Sequence, residues 1–150
     1  IESTIISFVT ETPTVLRLGG IAIEKIESII GKVDISINQN SNPQAPGQID
    51  SHYSPHTRFI VGEIPVQKPY DTSVDSVGAI TLSKQIDWVL PENQIQLSKN
   101  NDLSEASGNI FAAMRILDKK GLTKIIAEPM PNEGLGLAIN DRLSRAAYKL

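Results

Sequence analysis

Cysteine is absent from the 150 residues. That excludes a disulfide framework, a zinc–thiolate site and a thiol nucleophile, and it fits a reducing compartment. Histidine is scarce, with two residues, His52 and His56, so a Ser/His/Asp assembly has little to draw on. Aromatic residues make up 5% of the chain, and Trp88 stands alone, which leaves no evenly spaced platform for stacking bases. A surplus of positive charge is also missing. Lys and Arg total 14 against 17 Asp and Glu, a net charge of −3 that opposes a broad nucleic-acid-binding face. No apolar run approaches the roughly 18 residues needed to cross a bilayer. What is present is ordinary: 40% hydrophobic and 21% charged residues, enough for one domain or one small domain plus part of another. The opening Ile1-Glu2-Ser3-Thr4 carries no initiator Met, and the chain is expected to be part of a longer polypeptide.

Hydrophobic patterning predicts alternating strands and helices. Residues 4–9 (TIISFV) are β-branched and aromatic and read as a strand, with 14–17 (TVLR) its neighbour across a Glu-Thr-Pro turn. Residues 22–30 repeat isoleucine at 23, 26 and 30 opposite Glu24, Lys25 and Glu27, an amphipathic helix with Gly31 at a left-handed C-terminal cap. The segment 38–46 (NQNSNPQAP) is polar and aperiodic and reads as a linker. Beyond it, 57–61, 79–82, 94–97 and 124–127 read as strands, and 62–77 as mostly loop. Asp102 caps a helix whose Ala106, Ile110, Ala113, Met114 and Leu117 share a face, with Glu105 completing a capping box. A last helix steps through Leu135, Ile139, Leu143 and Ala147, with Asp141, Arg142 and Arg145 outside the core face. Strand–helix–strand repeats with short connections predict an α/β fold with a largely parallel sheet.

Few residues announce chemistry. The turn Asn132-Glu133-Gly134-Leu135-Gly136 precedes a helix and offers backbone N–H groups to an anion, but it lacks phosphate-loop spacing, so a close-packed turn is the stronger reading. Pro55 lies between His52 and His56 and denies them the helical geometry of a metal pair, so no metal site is expected. Ser3 and Thr4 carry hydroxyls suited to a phosphate or a substrate hydroxyl, although such a pair is usually structural. Arg17 carries a fork of donors suited to phosphate, against the alternative of a surface ion pair. The Lys119-Lys120 pair sits where a helix dipole favours cations.

Three stretches carry more information together. Glu2-Ser3-Thr4-Ile5-Ile6, followed by Val15-Leu16-Arg17-Leu18-Gly19-Gly20-Ile21 and the helix to Gly31, matches a pattern of an E-S-T strand and an L-R-P-G-x-I turn. The segment from Ala45 to Pro55 (APGQIDSHYSP) matches S-P-G-M-K-Y-R-H-Y-A-P without a gap. Residues 106–150 contain the helix ILDKKG and the ending GLGLAINDRLSRAAYKL. In this order the stretches resemble the Sua5 branch of the YrdC/Sua5 family, the L-threonylcarbamoyladenylate synthases. The sequence departs from the family pattern at Leu18, which replaces Pro, and at Gln48, Ile49, Asp50 and Ser51, which exchange two cations and an aromatic for an acid and uncharged residues.

The resemblance implies the tail of a YrdC-like α/β domain followed by a small Rossmann-like domain. Residues 1–41 would be the end of the catalytic domain, 42–57 the interdomain linker and 58–150 the Sua5 C-terminal domain. It implies a parent enzyme that joins L-threonine, bicarbonate and ATP, accompanied by Mg2+, into threonylcarbamoyl-AMP with release of pyrophosphate. That product feeds the tRNA-modification machinery that makes threonylcarbamoyladenosine (t6A), in the cytoplasm and without a membrane. Ser3, Thr4 and Arg17 would face the substrate and nucleotide cavity, and His52 and Tyr53 of the linker would help close it. The family's Lys-x-Arg and Ser-x-Asn motifs belong to an earlier part of the catalytic domain that these residues do not match, so the 150-residue chain is expected to be inactive by itself, with residues 1–41 fraying, swapping or needing a partner. The alternative is a non-catalytic nucleotide-binding or regulatory α/β module. Direct nucleic-acid binding ranks third.

Overall fold

Two β-branched runs too short to stand alone pair across a Pro-bearing turn. In the computed structural model, which describes residues 1–37, 54–68 and 76–147, β1 (Ile5–Ser7) and β2 (Thr14–Arg17) lie antiparallel. The chain then forms α1 (Ile23–Ile30) and returns as β3 (Asp34–Ile35), parallel to β2. β2, α1 and β3 therefore form a crossover unit of the βαβ kind. β3 has only two residues, both exposed, so no alternation marks it in the sequence. Gly31 closes α1 by donating its N–H to the Glu27 carbonyl at 3.0 Å. Its φ of +82° suits glycine, but its ψ of −170° lies outside the left-handed helical basin expected for the cap.

The second sheet holds β4 (Arg58–Val61), β5 (Val77–Thr81), β6 (Gln94–Gln96) and β7 (Lys124–Ala127). All neighbours are parallel, in the order β4-β7-β5-β6. Every residue of β5 is buried, as expected of an inner parallel strand covered on both faces. Gly78 keeps that strand close to its neighbours, since a Cβ there would stand 2.7 Å from Leu122 Cδ1. The helices α2 (Leu103–Asp118) and α3 (Gly136–Ala147) pack on the sheet and on each other. Ile80, Ile110, Leu117, Ile125, Ile139 and Leu143 meet between them with no exposed surface. Each parallel strand lies within two residues of its expected place.

The start of α2 differs in detail from a capping box. Asp102 Oδ1 accepts the N–H groups of Ser104 and Glu105 at 2.7 and 3.4 Å. Glu105 does not reach back to Asp102 directly. Its carboxylate accepts the Ser98 hydroxyl at 2.5 Å, and Ser98 Oγ in turn accepts the Asp102 N–H at 3.0 Å. Buried Ser98 thus relays the bond. Asp102→Ala is expected to lower stability by about 1 kcal/mol, the usual worth of an N-cap, measured by urea unfolding; a loss below the error of that measurement would contradict the cap's role.

The two sheets are joined through α3. Val15, Leu18, Ile23 and Ile26 form a buried cluster with Ala138 of α3. Here the sequence reading needs correction: Arg142 and Arg145 are not on an outer face but are 1% and 5% exposed. The four-residue step places Ile139 and Leu143 toward the parallel sheet, while the adjacent face of α3, which periodicity within one helix does not assign, is covered by residues 1–37. In the same segment Phe8, Ile21 and Ile29 remain exposed and line a shallow apolar groove of about 250 Å³. Residues 1–37 are therefore half-seated: one face is buried on α3 and one is open.

Candidate functional site: a clamp around Ser3, Thr4 and Arg17

The turn after β2 doubles back on the strand before β1. Gly20 N–H donates to the Glu2 carbonyl at 2.8 Å. Thr4 Oγ1 accepts the Ile21 N–H at 3.3 Å and donates to the Ile21 carbonyl at 3.2 Å. Arg17 Nε donates to the Ser3 carbonyl and Nη2 to Ser3 Oγ, each at 3.1 Å. Three of the sequence-predicted site residues, Ser3, Thr4 and Arg17, therefore meet. A hydroxyl that accepts from a guanidinium keeps its own proton to donate, so Ser3 and Arg17 together present donors suited to an anionic oxygen. Gly19 makes the approach possible. A Cβ there would stand 2.2 Å from Thr4 N and 2.3 Å from Ser3 C.

His52 and Tyr53 lie outside the described residues, as does most of the linker. Its end is pinned. Ser54 Oγ donates to the Ala146 carbonyl at 3.1 Å, and the His56 and Thr57 N–H groups donate to the Asp118 carboxylate at 3.2 and 2.8 Å. Partial burial pushes the Asp118 carboxyl up, but hydrogen bonds from Thr57 and His56 and the nearby His56 charge outweigh it and hold the group below its ordinary value of 3.8. A carboxylate with a depressed folded pKa stabilises the fold above its unfolded pKa, and that contribution is lost as pH falls through the folded value. Protection of the Thr57 amide is therefore expected to fall on acidification below about pH 4 and to be low at all pH values in Asp118→Ala, which removes the acceptor. Amide exchange across the pH range checks this, and a pH-independent Thr57 amide would contradict it.

The glycine-rich turn before α3 resolves to the close-packed alternative. A Cβ on Gly136 would stand 1.8 Å from the Pro131 carbonyl oxygen. The Gly134 N–H is taken by the Glu24 carboxylate at 3.0 Å, a bond that holds the Glu24 carboxyl below its usual range. The chain's own acid thus occupies a donor that an outside anion would need.

A larger crevice of about 590 Å³ opens at the carboxyl ends of β4, β5 and β7. This is the usual ligand edge of an open parallel sheet. Its charged walls are Glu63, Asp87, Glu128 and Lys84. Glu128 Oε1 accepts the Leu82 N–H at 2.6 Å, and Lys84 Nζ stands 3.9 Å from Oε2. Three carboxylates against one ammonium disfavour phosphate there. Among the described residues no group of three or more His, Asp or Glu is placed to hold a metal ion, and no helix is long and apolar enough to cross a membrane.

Sequence reasoning missed Arg142. Its Nε and Nη2 donate to Glu2 Oε2 at 3.1 and 2.9 Å, Nη2 also donates to the Leu18 carbonyl at 2.8 Å, and Nη1 pairs with Asp141. Arg145 holds the same Asp141 from one turn on, at 3.0 Å. The available signal was the pairing of Glu2 in one family-like motif with Arg142 in another.

The architecture defines a class of α/β protein in which a strand pair carrying a Ser-Thr/Arg clamp is fastened to a small parallel-sheet domain. The chain belongs to the threonylcarbamoyl-AMP synthase family: the profile described as "Threonylcarbamoyl-AMP synthase, C-terminal domain" (Sua5_C) matches residues 21–148. It is 30% identical to the threonylcarbamoyl-AMP synthase of Bacillus subtilis, over 98% of this chain and 45% of that protein. It is also 30% identical to the Pyrococcus abyssi synthase, over 98% of this chain and 46% of that protein. Among solved structures, P. abyssi Sua5 complexed with L-threonine superposes with a TM-score of 0.77 at 30% identity, over 97% of this chain and 45% of that one. A variant of the same protein with a histidine and a tyrosine replaced by alanine gives 0.76 at 28% identity, over 98% and 45%. The chain thus spans about half the length of the curated relatives it matches.

Proposed function

We propose that this chain is the C-terminal region of an enzyme that joins L-threonine, bicarbonate and ATP into threonylcarbamoyl-AMP and releases pyrophosphate, a nucleotidyl transfer that supplies tRNA t6A biosynthesis in the cytoplasm. The observation that carries the reading is the clamp named by the family-like motifs: Arg17 bonds Ser3 at 3.1 Å, and the adjacent Thr4 bonds Ile21 of the turn after Arg17 at 3.2–3.3 Å. Ser3 and Arg17 would hold a substrate carboxylate or phosphate. Thr4 would fix the turn that carries the donors. Magnesium is read as entering on the ATP phosphates. His52 and Tyr53, the chain's one adjacent His-Tyr pair, are read as the lid contribution of the linker, and the solved structure of a P. abyssi Sua5 variant with an adjacent histidine and tyrosine replaced by alanine supports attention to that pair. The acidic walls of the large crevice weigh against the alternative of a module that binds nucleotide phosphates there.

The test is pyrophosphate release from ATP by this 150-residue chain and by the full-length enzyme, side by side. Release by the whole enzyme that needs both L-threonine and bicarbonate, with none from the chain alone, is expected. A folded whole enzyme that releases none under any combination would contradict the reading.

A further inference from the structure

Glu2 directly precedes Ser3, and Leu18 directly follows Arg17. Both are held by the same guanidinium, that of Arg142 on α3. We propose that Arg142 is a positioning residue: from the Sua5 domain it fixes the spacing between the Ser3-Thr4 segment and Arg17, so that α3 sets the geometry of the substrate clamp. This role rests on the reading of that clamp given above.

The side chain is built for the task. It is 1% exposed, and it spans the Glu2 carboxylate, the Leu18 carbonyl and the Asp141 carboxylate, contacts that need a planar fork of several donors rather than one ammonium. Arg145, 5% exposed, donates to both oxygens of Asp141 and fixes the partner that orients the guanidinium. A buried ion cluster is a poor way to gain stability, because well-packed apolar residues do as well or better. Its distinctive effect here is registry. One rigid group touches residues 2 and 18, whose segments are joined otherwise by the Gly20–Glu2 bond at 2.8 Å, the Thr4–Ile21 pair, the two Arg17–Ser3 bonds at 3.1 Å and the edge of the β1–β2 ladder. Removal of the fork leaves the spacing of Ser3 and Arg17 to those lighter bonds, without an anchor on α3.

The test compares Arg142→Lys, which keeps a positive charge but loses the fork, with Arg142→Met, which loses both. In this chain, amide exchange at Gly20 and Ile21 is expected to quicken about tenfold or more in the Lys variant, as when one cooperative unit opens locally. The Gly62 and Glu128 amides, which bond across the parallel sheet, are expected to stay near their wild-type rates. In the full-length enzyme, the KM for ATP or L-threonine is expected to rise about tenfold, one decade of lost binding, with a smaller change in kcat. Unchanged Gly20 and Ile21 exchange in both variants overturns the proposal. So does loosening shared equally by the sheet amides, which marks a general stability role, and so does a loosened clamp with wild-type KM and kcat. A wild-type enzyme that releases no pyrophosphate contradicts the functional reading instead, and the exchange data then still report whether Arg142 holds the clamp.

Discussion

Gly19→Ala is expected to break the clamp and release residues 1–37 while the parallel sheet stays folded. The added Cβ would stand 2.2, 2.3 and 2.5 Å from Thr4 N, Ser3 C and Glu2 O, all backbone atoms that have no rotamer to escape into. Overpacking of this kind costs about 3 kcal/mol or more. The strain falls on a segment whose anchorage is limited to one face of α3, so local opening relieves it more cheaply than global unfolding. Amide exchange checks both halves: the Gly20 and Ile21 N–H groups lose protection, and the Gly62 and Glu128 N–H groups, bonded to Ala127 and Ile80, keep theirs. Retained protection at Gly20 would show that the turn has room that the geometry denies.

The second large effect is global. Ile110 lies on the inner face of α2 with no exposed surface, in the cluster shared with Ile80, Ile125, Ile139 and Leu143. Ile110→Ala deletes three buried carbons where helices and sheet all converge, and is expected to cost about 2–5 kcal/mol. For a chain of this size that lowers Tm by roughly 5–15 °C. Ile116 on the same helix is 52% exposed, and Ile116→Ala is expected to change stability by no more than about 0.5 kcal/mol. Thermal unfolding of the pair checks the assignment of the core face, and equal losses would contradict it.

The parallel sheet was legible from residue patterns because each strand reports its own environment. Val77–Thr81 is apolar without alternation because both its faces are covered, and Lys124–Ala127 is stopped by Pro129. The face of α3 that carries Arg142 was not legible in the same way. Periodicity within one helix finds the face that meets the nearest sheet, and it ranks an arginine as outward. Burial of Arg142 depends on Glu2 and Leu18, 140 and 124 residues away in sequence, and no local pattern encodes such a distance. The same holds for Glu24, whose exposed place on α1 hides its bond to Gly134 across 110 residues. For the site, Ser3, Thr4 and Arg17 were named by motif, and their meeting follows from the antiparallel pairing of β1 with β2, which sets Ile5 opposite Arg17.

These long-range bonds bear on how the chain divides. Glu2–Arg142, Leu18–Arg142 and Glu24–Gly134 all tie residues 1–37 to α3 or the turn before it. The family match likewise runs through α1 and on to residue 148. In the proposed enzyme, the small domain then does more than follow the catalytic one in sequence: it forms the wall on which the Ser3-Thr4/Arg17 strand pair is mounted.

The most direct measurement is mass-spectrometric detection of the adenylate product formed by the full-length enzyme from 13C-bicarbonate, L-threonine and ATP. The account predicts threonylcarbamoyl-AMP carrying one 13C label, dependent on all three substrates and sharply reduced by Arg17→Ala in an enzyme that remains folded. A folded enzyme that forms no labelled adenylate, or an Arg17→Ala variant that forms it at the wild-type rate, would contradict it.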